Sequence, residues 1–478
     1  MLLTIDIGTS IFKSAVWDFE GGRKAFASVP LSMNLNDGLR HEAESGQWLR
    51  AFEDCCHRLN TETSLTAVDA VVISGNGPSL TPVLDETYPS IADSHPQFLN
   101  VPAAPVRLWL DRRAVKAAER VSALLGDFVD AGFYLPKALD IMINDPQLYK
   151  KTKYFLGCPE LLAYALTGEA RTVFPSDGFE RWFWDDSILE RLALDREKFP
   201  PFIRPGDTFG GLIPHIAAYF GLRSDIPVIS GGPDFFAAIL GAGVVKPGQV
   251  CDRAGSSEGI NACTENHITD ERLMSYRHPV KPHWNLSGII STTGKAIEWG
   301  RGFLGVQAPD DFFTLAQTAP PGSGGLVFLP YLAGERAPVW KASARGILRG
   351  LSLSTGRAEF ARSVLEGICF AIHDVIDIME KTGAAVDELH VAGSTSANTA
   401  LNQIKSDITK KQVLVPHHKE AELLGLAIIG SCTLGKFASY SEAAARLVCI
   451  EKTYQPNGKN AALYDDLFSE YRRSREIC

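Results

Sequence analysis

The chain lacks the features that mark several large protein classes. Its 478 residues include nine cysteines, an odd number, and no two of them form a C-x-x-C pair. This scatter argues against a disulfide framework and against a zinc site. No uncharged run reaches the roughly 18 residues that span a bilayer, and the first residues, MLLTIDIGTS, lack the charged start and apolar core of a signal peptide. We therefore expect reduced thiols, no membrane segment and a cytoplasmic location.

The chain also lacks an excess of basic residues. Its 47 Lys and Arg residues are outnumbered by 56 Asp and Glu residues, so the formal net charge is −9. A general nucleic-acid binder needs a basic surface to meet the phosphate backbone, and this balance argues against one. The length predicts two or three domains. The composition is compatible with a soluble enzyme whose partner is a small molecule, with no nucleic acid and no membrane bound.

Segments with strand-like and helix-like patterns alternate along the chain, which predicts an α/β fold. AVVISG and IPVISGG are typical of buried strands, whereas CPELLAYALTG and NTALNQIKSDITK have the three- and four-residue apolar spacing of helices. The turn-rich stretch from Lys246 to Gly248 is a candidate seam between two halves.

One internal similarity suggests a repeated unit. TIDIGTSIFKSAVW, near the start, resembles VCDRAGSSEGINACT at 250–264: each has an acid, a glycine and two small hydroxyl residues between β-prone runs. This pattern predicts a hairpin whose turn presents backbone N–H groups and hydroxyls. Such turns can cradle phosphate oxygens, although each alone could be an ordinary tight turn. Two of them, one in each half, favour a duplicated nucleotide clamp.

Two familiar motifs fail or fit poorly. GIISTTGKA at 288–296 resembles a phosphate-binding P-loop, but its spacing is one residue too long and Ala296 replaces the required Ser or Thr. GSSEG at 255–259 matches the nucleophile elbow of serine hydrolases, which leads from a strand into a helix. The following INACTENHIT is β-prone, so a hydrolase using Ser257 is only a remote alternative.

Several motifs together resemble the FGGY carbohydrate kinases. DIGTS, WLDRRA (109–114), GGPD (231–234) and AGSSEG (254–259) occur in that family's order. The segment at 331–367, beginning YLAGERAPVW, is similar to its C-terminal signature, and VAGSTSANTALNQIKSDI (391–408) to its adenosine-binding segment. The resemblance implies two actin-like (ribonuclease H-like) α/β domains with a deep interdomain cleft. We place a sugar-binding domain at 1–245 and an ATP-binding domain at 246–478, and a homodimer is possible.

The resemblance also implies an activity and its site residues. ATP, with Mg²⁺, would phosphorylate a hydroxyl of a sugar or polyol. The expected substrate is a pentulose such as xylulose, and Mg-ATP would lie between the domains. Asp234 matches the family's general base, and Asp6 matches its metal carboxylate. The implied nucleotide-binding residues are Gly8, Thr9, Ser10, Lys13, Gly255, Ser256, Ser257, Gly393 and Asn398. The implied substrate-binding residues are Gly77, Pro78, Trp109, Asp111, Asp234 and Phe235.

Simpler roles compete with three of these assignments. Asp234 is also a good N-cap for the FFAAILGAG helix that follows it, and both roles can hold together. Asp6 could be a strand-end acid that caps its own turn, and Trp109 could be an ordinary core aromatic.

The chain departs from the family pattern at positions that bear on the substrate. GNGPS at 75–79 offers no side-chain donor at Gly77 and Pro78 where pentulose kinases have a polar residue, Phe235 stands where Asn is common, and GST at 393–395 reduces the usual glycines. A ribulose-like sugar, a tetritol, glycerol or a deoxysugar therefore stays open. A non-catalytic ATP- and sugar-binding sensor or scaffold is a second alternative, although such a protein needs neither Asp6 nor Asp234.

Overall fold

A computed structural model describes residues 1–36, 38–85 and 101–477, and it divides into two compact units. Unit 1 comprises Met1–Ala237 together with Glu422–Leu447, and unit 2 comprises Ala238–Ala421 together with the chain from Val448 onward. The compact units differ from the predicted domains in two respects: the first boundary lies between residues 237 and 238, and residues 422–447 belong to unit 1. The division into functional domains at 245 and 246 stays a prediction.

Unit 1 alternates strands with helices from its first residue. Its elements in chain order are β1 Leu2–Ile7, β2 Ile11–Trp17, β3 Arg23–Pro30, β4 Asn34–Asn36, β5 Arg40–Ala43, α1 Gly46–Glu62, β6 Ala70–Gly75, β7 Thr81–Leu84, β8 Val106–Arg107, α2 Val115–Leu125, α3 Tyr134–Asn144, α4 Pro146–Lys151, β9 Thr152–Leu156, α5 Cys158–Thr167, β10 Thr172–Val173, α6 Asp186–Leu192, β11 Phe202–Ile203, β12 Thr208–Gly211, α7 Pro214–Phe220, β13 Pro227–Pro233 and α8 Asp234–Gly241.

Unit 2 begins within α8 and contains the rest of the chain except two helices that belong to unit 1, α13 and α14. The remaining elements are β14 Gly248–Ala254, β15 Glu258–Thr264, β16 Met274–Arg277, β17 Trp284–Ile290, α9 Gly294–Phe303, α10 Pro309–Gln317, β18 Val327–Leu329, β19 Ile347–Arg349, α11 Arg357–Lys381, β20 Val386–Gly393, α12 Thr399–Thr409, β21 Gln412–Pro416, α13 Ala421–Thr433, α14 Tyr440–Leu447, β22 Ile450–Tyr454 and α15 Ala461–Arg475.

The main sheets of the two units share one topology. In unit 1 the strand order is β12-β13-β6-β1-β2-β3, and β13, β6 and β1 run parallel while the outer strands are antiparallel. In unit 2 the order is β16-β17-β15-β14-β20-β21-β22, with β14, β20 and β21 parallel. Apart from the extra edge strand β16, orders and directions correspond strand by strand. Both predicted hairpins, β1–β2 and β14–β15, are therefore confirmed as equivalent parts of a duplicated α/β fold.

The central strands are apolar runs because helices cover both sheet faces. Every residue of β1 and of β6 is buried. The covering helices bury one stripe each, as α1 does with Trp48, Phe52, Cys55 and Leu59, spaced by three and four residues. None of the eight described cysteines forms a disulfide. Within the described ranges, every helix is too short or too polar to cross a membrane.

Candidate functional site

The two acids singled out from the sequence lie at one edge of the unit 1 sheet. Strands β1, β6 and β13 are parallel, with Ile7 and Pro233 both in register with Gly75. Asp6 is the penultimate residue of β1, and Asp234 follows β13 as the first residue of α8. The carboxyl ends of parallel strands form the edge at which α/β folds bind ligands. Asp6 is buried and Asp234 half-buried there.

The pKa of a buried thiol is affected by the charges of both Asp6 and Asp234. Cys158, at the start of α5, donates its thiol to the Asn76 carbonyl oxygen at 3.0 Å. Burial raises the pKa of this thiol well above its ordinary value, and the carboxylates of Glu160, Asp6 and Asp234 raise it further. The thiol is consequently unreactive, and its neighbours place both candidate acids around one point of the fold.

The turn between β1 and β2, called the first turn, connects the sheet edge that carries Asp6 to Trp109, a predicted sugar-binding residue. The Gly8 N–H donates to the Ile11 carbonyl at 3.0 Å, and a Cβ on Gly8 would come within 2.6 Å of that oxygen, so the turn requires glycine. The Thr9 hydroxyl accepts a hydrogen bond from the Trp109 indole N–H at 2.9 Å. Lys13 is the cross-strand partner of Asp6. Turn residues assigned to nucleotide and a tryptophan assigned to sugar therefore meet within unit 1.

The predicted sugar residues Trp109 and Asp111 have different environments. Trp109 is half-exposed, whereas the Asp111 side chain is fully buried. Asp111 accepts hydrogen bonds from the His41 N–H at 3.0 Å and from the Arg113 guanidinium at 2.6 and 3.0 Å. Burial opposes ionisation of Asp111, but these donors hold its pKa below the ordinary value. Asp111 thus fixes the segment after Trp109, and its contact with a sugar stays a prediction.

The side chain of a buried lysine is hydrogen-bonded to the Gly77–Pro78 loop. Lys137, on α3, donates from Nζ to the carbonyl oxygens of Pro78 at 2.7 Å and Leu108 at 2.8 Å. It is fully buried. Lys137 was not identified from the sequence, because a lysine within a helical pattern is usually exposed to solvent. It links two segments predicted to contact the substrate.

A row of aromatic side chains begins at Phe235. The aromatic row consists of Phe235, Phe179, Trp182 and Phe133, all partly exposed. The ring centroids of Phe235 and Phe179 are 6.3 Å apart, those of Phe179 and Trp182 are 4.9 Å apart, and Trp182 stacks on Phe133 at 5.7 Å. Only Phe235 was identified from the sequence, although the aromatic run GFERWFW at 178–184 was a signal for the others.

The second turn lies within unit 2, beside the predicted adenosine segment. The Gly255 N–H donates to the Ser257 carbonyl at 2.8 Å, closing the turn between β14 and β15. Gly393 is in register with Ala254 and has φ +85°, and a Cβ on it would lie 2.0 Å from the Ala254 oxygen. Asn398 accepts from the Leu401 N–H at 2.9 Å as the N-cap of α12. The turn predicted to bind phosphate and the segment predicted to bind adenosine are therefore adjacent, and the Asn398 side chain caps α12.

A segment that the sequence reasoning dismissed also reaches this turn. The N–H groups of Thr293 and Gly294 donate to the carbonyls of Ser256 and Gly255 at 3.2 and 3.1 Å. Gly294 begins α9, and the first N–H groups of a helix favour anions. STTG at 291–294 fails as a P-loop, yet its hydroxyl and glycine residues between a strand and a helix were the available signal.

Both halves of the chain match one protein family. The model of the N-terminal domain of the FGGY family of carbohydrate kinases matches residues 1–241, and that of the C-terminal domain matches residues 253–434. The chain belongs to the FGGY family. A xylulose kinase of Staphylococcus epidermidis is 26% identical over 488 residues, covering 98% of this chain and 95% of that protein.

Solved FGGY-type structures share the fold. A ligand-bound xylulose kinase from Lactobacillus acidophilus matches with a TM-score of 0.85 at 23% identity, covering 100% of this chain and 98% of that one. A Plasmodium falciparum glycerol kinase with ADP matches with a TM-score of 0.82 at 18% identity, covering 99% and 98%. The predicted pair of actin-like domains is thereby confirmed. Because kinases named for different substrates share this fold, the fold leaves the sugar open.

The structure around Ser257 is not the strand-to-helix turn that the nucleophile of a serine hydrolase would need. Ser257 is followed directly by strand β15, whereas a nucleophile elbow leads into a helix. Ser257 instead closes the second turn through its carbonyl.

Asp6 fits a magnesium ion, which demands little from the protein. Mg²⁺ usually keeps several waters and takes one or two carboxylates besides substrate phosphates. Among the residues that the structure describes, no cluster of three or more His, Cys, Asp or Glu side chains could hold a metal alone. A single buried carboxylate beside a glycine turn, as at Asp6, suits an ion that arrives with phosphate.

Proposed function

We propose that this FGGY kinase transfers the γ-phosphoryl group of ATP to a hydroxyl of a pentulose such as xylulose. The observation that carries the proposal is the meeting of Asp6 and Asp234 at the carboxyl edge of one sheet, beside a glycine turn and a half-exposed tryptophan. The whole-length similarity to a protein named xylulose kinase supports the pentulose.

Asp234 is the proposed general base. Phosphoryl transfer needs an aligned phosphoryl group, neutralised charge and an attacking hydroxyl that loses its proton. A half-buried carboxylate can accept that proton as the phosphoryl group arrives. Asp234 is the first residue of α8 and follows a strand directly, so its backbone is rigid. Capping the helix is compatible with this role.

The nucleotide and metal ion have proposed ligands in each unit. In unit 1 the turn Gly8, Thr9 and Ser10, with Lys13, would bind phosphate oxygens, and Asp6 would hold Mg²⁺. When bound, Mg²⁺ supplies charge neutralisation on the phosphates. In unit 2 the proposed ligands are Gly255, Ser256, Ser257, Gly393 and Asn398.

The surroundings of Asp234 suggest which sugars it accepts. The Trp109 N–H is engaged by Thr9, so its ring face, rather than its donor, is offered to a substrate. Gly77 and Pro78 supply no polar side chain, and the aromatic row continues the apolar surface from Phe235. A buried sugar hydroxyl without a partner costs about 1 kcal/mol or more. A substrate with an apolar C–H face, or with fewer hydroxyls than xylulose, is therefore the second candidate.

One assay separates these candidates: ADP release with a panel of pentuloses, hexuloses, polyols and deoxysugars, with Asp234→Asn as the matched control. Turnover that requires Asp234 supports the kinase. Xylulose turned over far faster than the others would refute the apolar-face candidate and retain the pentulose. Tight ADP and sugar binding without turnover of any sugar would favour the sensor instead. The cytoplasmic location and the homodimer stay predictions.

A further inference from the structure

A buried lysine connects the segments around the second turn. Lys405, on α12, donates from Nζ to Asp252 Oδ2 of β14 and, at 3.1 Å, to Glu258 Oε1 of β15. The exposed fractions of the three side chains are 2%, 0% and 3%. Charges so far from water persist only when they are paired and hydrogen-bonded. These three residues are called the Lys405 triad.

The two acids of the Lys405 triad have pKa values shifted in opposite directions. Burial and the neighbouring Glu258 raise the pKa of Asp252 well above its ordinary value. Burial also opposes ionisation of Glu258, but Lys405, together with Asp252 and Thr293, lowers the pKa of Glu258 below its ordinary value. Glu258 and Lys405 therefore form a buried ion pair next to the second turn, with the Asp252 carboxyl group as the second acceptor of the ammonium.

The Lys405 triad connects the two strands that flank the second turn, β14 and β15. Asp252 lies three residues before Gly255, and Glu258 follows Ser257 directly. Because Asp252 pairs with Ile260 and Ala254 with Glu258 in the antiparallel ladder, both acids lie on one face of the hairpin. One ammonium group therefore fixes the spacing between the two strands that lead into and out of the turn.

The same lysine fixes the helix that follows the adenosine segment. α12 begins immediately after Asn398, and the Ser394 N–H donates to the Ala254 carbonyl at 3.1 Å. The Asn402 side chain, one helical turn before Lys405, donates to the Ser396 carbonyl at 2.8 Å. Residues 393–398 are thus bonded at one end to the hairpin and at the other to the helix that carries Lys405.

We propose that Lys405 is a positioning residue of the nucleotide site, which holds the turn 255–257 and the segment 393–398 in the arrangement that binds ADP and ATP. The proposal rests on the proposed function. A buried ion group is a poor device for stability alone, because well-packed apolar side chains usually serve as well or better. Its hydrogen bonds have fixed directions, however, and specify the geometry of the strands and helix they join.

The first test compares Lys405→Met with Arg362→Met. Arg362 also forms a buried ion pair in unit 2, with Glu366 at 2.7 Å, but it lies on α11 rather than beside the turn. Both variants should lose thermal stability. Only Lys405→Met should weaken MgADP binding, measured by calorimetry without sugar, by about tenfold or more, because small displacements of binding groups have effects of this size. In turnover assays its KM for ATP should rise while its KM for sugar stays unchanged.

The second test does not depend on the folding of Lys405→Met. Glu258→Gln and Glu258→Leu both remove one charge, but glutamine keeps an oxygen that accepts from Lys405. We expect MgADP affinity close to wild type in Glu258→Gln and a loss of about tenfold in Glu258→Leu. Equal affinities in these two variants, or equal effects of Lys405→Met and Arg362→Met, would overturn the positioning role. A wild-type chain that binds no MgADP would overturn the proposed function as well.

Discussion

Replacement of Lys137 by methionine tests how the predicted sugar loop is held. Methionine has nearly the same length but no donor, so the variant removes the Lys137 hydrogen bond from the Pro78 carbonyl, whereas the Leu108 carbonyl still accepts from the Asp111 N–H at 2.9 Å. Each unsatisfied buried acceptor costs about 1–3 kcal/mol. For the one acceptor at Pro78 the free energy of unfolding should fall by about 1–3 kcal/mol.

The loss should grow with pH. Burial lowers the pKa of Lys137 well below its ordinary value; the nearby charges of Arg112 and Arg107 lower it further, and those of Asp111 and Asp130 only partly oppose this. Between the lowered pKa and the ordinary value of about 10.4 the unfolded chain binds more protons, so wild-type stability rises with pH there. The methionine variant lacks this rise.

Chemical denaturation at about pH 6.5 and about pH 9, fitted with one transition for each unit, measures both effects. Lys116→Met is the control, because Lys116 is exposed on the neighbouring helix α2 and should change stability by less than about 0.5 kcal/mol. A Lys137 variant as stable as this control would refute the argument from the unpaired Pro78 carbonyl. A loss that is larger at the acidic pH would refute the lowered pKa of Lys137.

Three further substitutions test the proposed site. Asp234→Asn can still cap α8, so the fold and MgADP affinity should be retained while kcat falls by roughly 10²–10⁴; near-normal turnover would leave Asp234 as a cap only. Ser257→Ala should weaken ADP binding by about 1–2 kcal/mol in calorimetry, whereas a hydrolase would lose all activity. Phe235→Asn restores a polar group beside the base and should raise kcat/KM for xylulose over a deoxypentulose by about fivefold; an unchanged ratio would remove Phe235 from substrate selection.

Local patterns predicted the parts of the fold that depend on neighbouring residues. The β1–β2 and β14–β15 hairpins were visible as acid, glycine and hydroxyl turns between β-prone runs, and α5 and α12 as apolar spacing. The parallel register that brings Asp6 to Asp234 spans 228 positions of chain and has no local signal. There the family resemblance, rather than periodicity, supplied the expectation that both acids act together.

Contacts between distant residues account for what the sequence did not reveal. Trp109 reaches Thr9 across 100 positions, and Lys405 reaches Asp252 across 153. A lysine in an amphipathic helix is ordinarily a solvated one, so Lys137 and Lys405 gave no sign of burial. Likewise, the Asp111 carboxylate shows its structural partners only after His41 and Arg113 are folded around it.

The duplicated hairpins place an aspartate at a similar position in each unit, but the surroundings of the two aspartates differ. Each hairpin has an aspartate shortly before its turn, Asp6 in β1 and Asp252 in β14. Two like charges about 6 Å apart repel by roughly 3 kcal/mol at an effective dielectric constant of about 20, so a carboxylate near a phosphate-binding turn needs a compensating cation. In unit 2 the Lys405 ammonium group provides that compensation permanently, and the Asp252 side chain is fully buried. In unit 1, Asp6 is also buried, at the carboxyl edge of the sheet, and the proposed Mg²⁺ would bring positive charge to it together with the nucleotide. We therefore expect the proposed phosphate turn of unit 2 to work with a cation built into the fold and that of unit 1 to work with Mg²⁺.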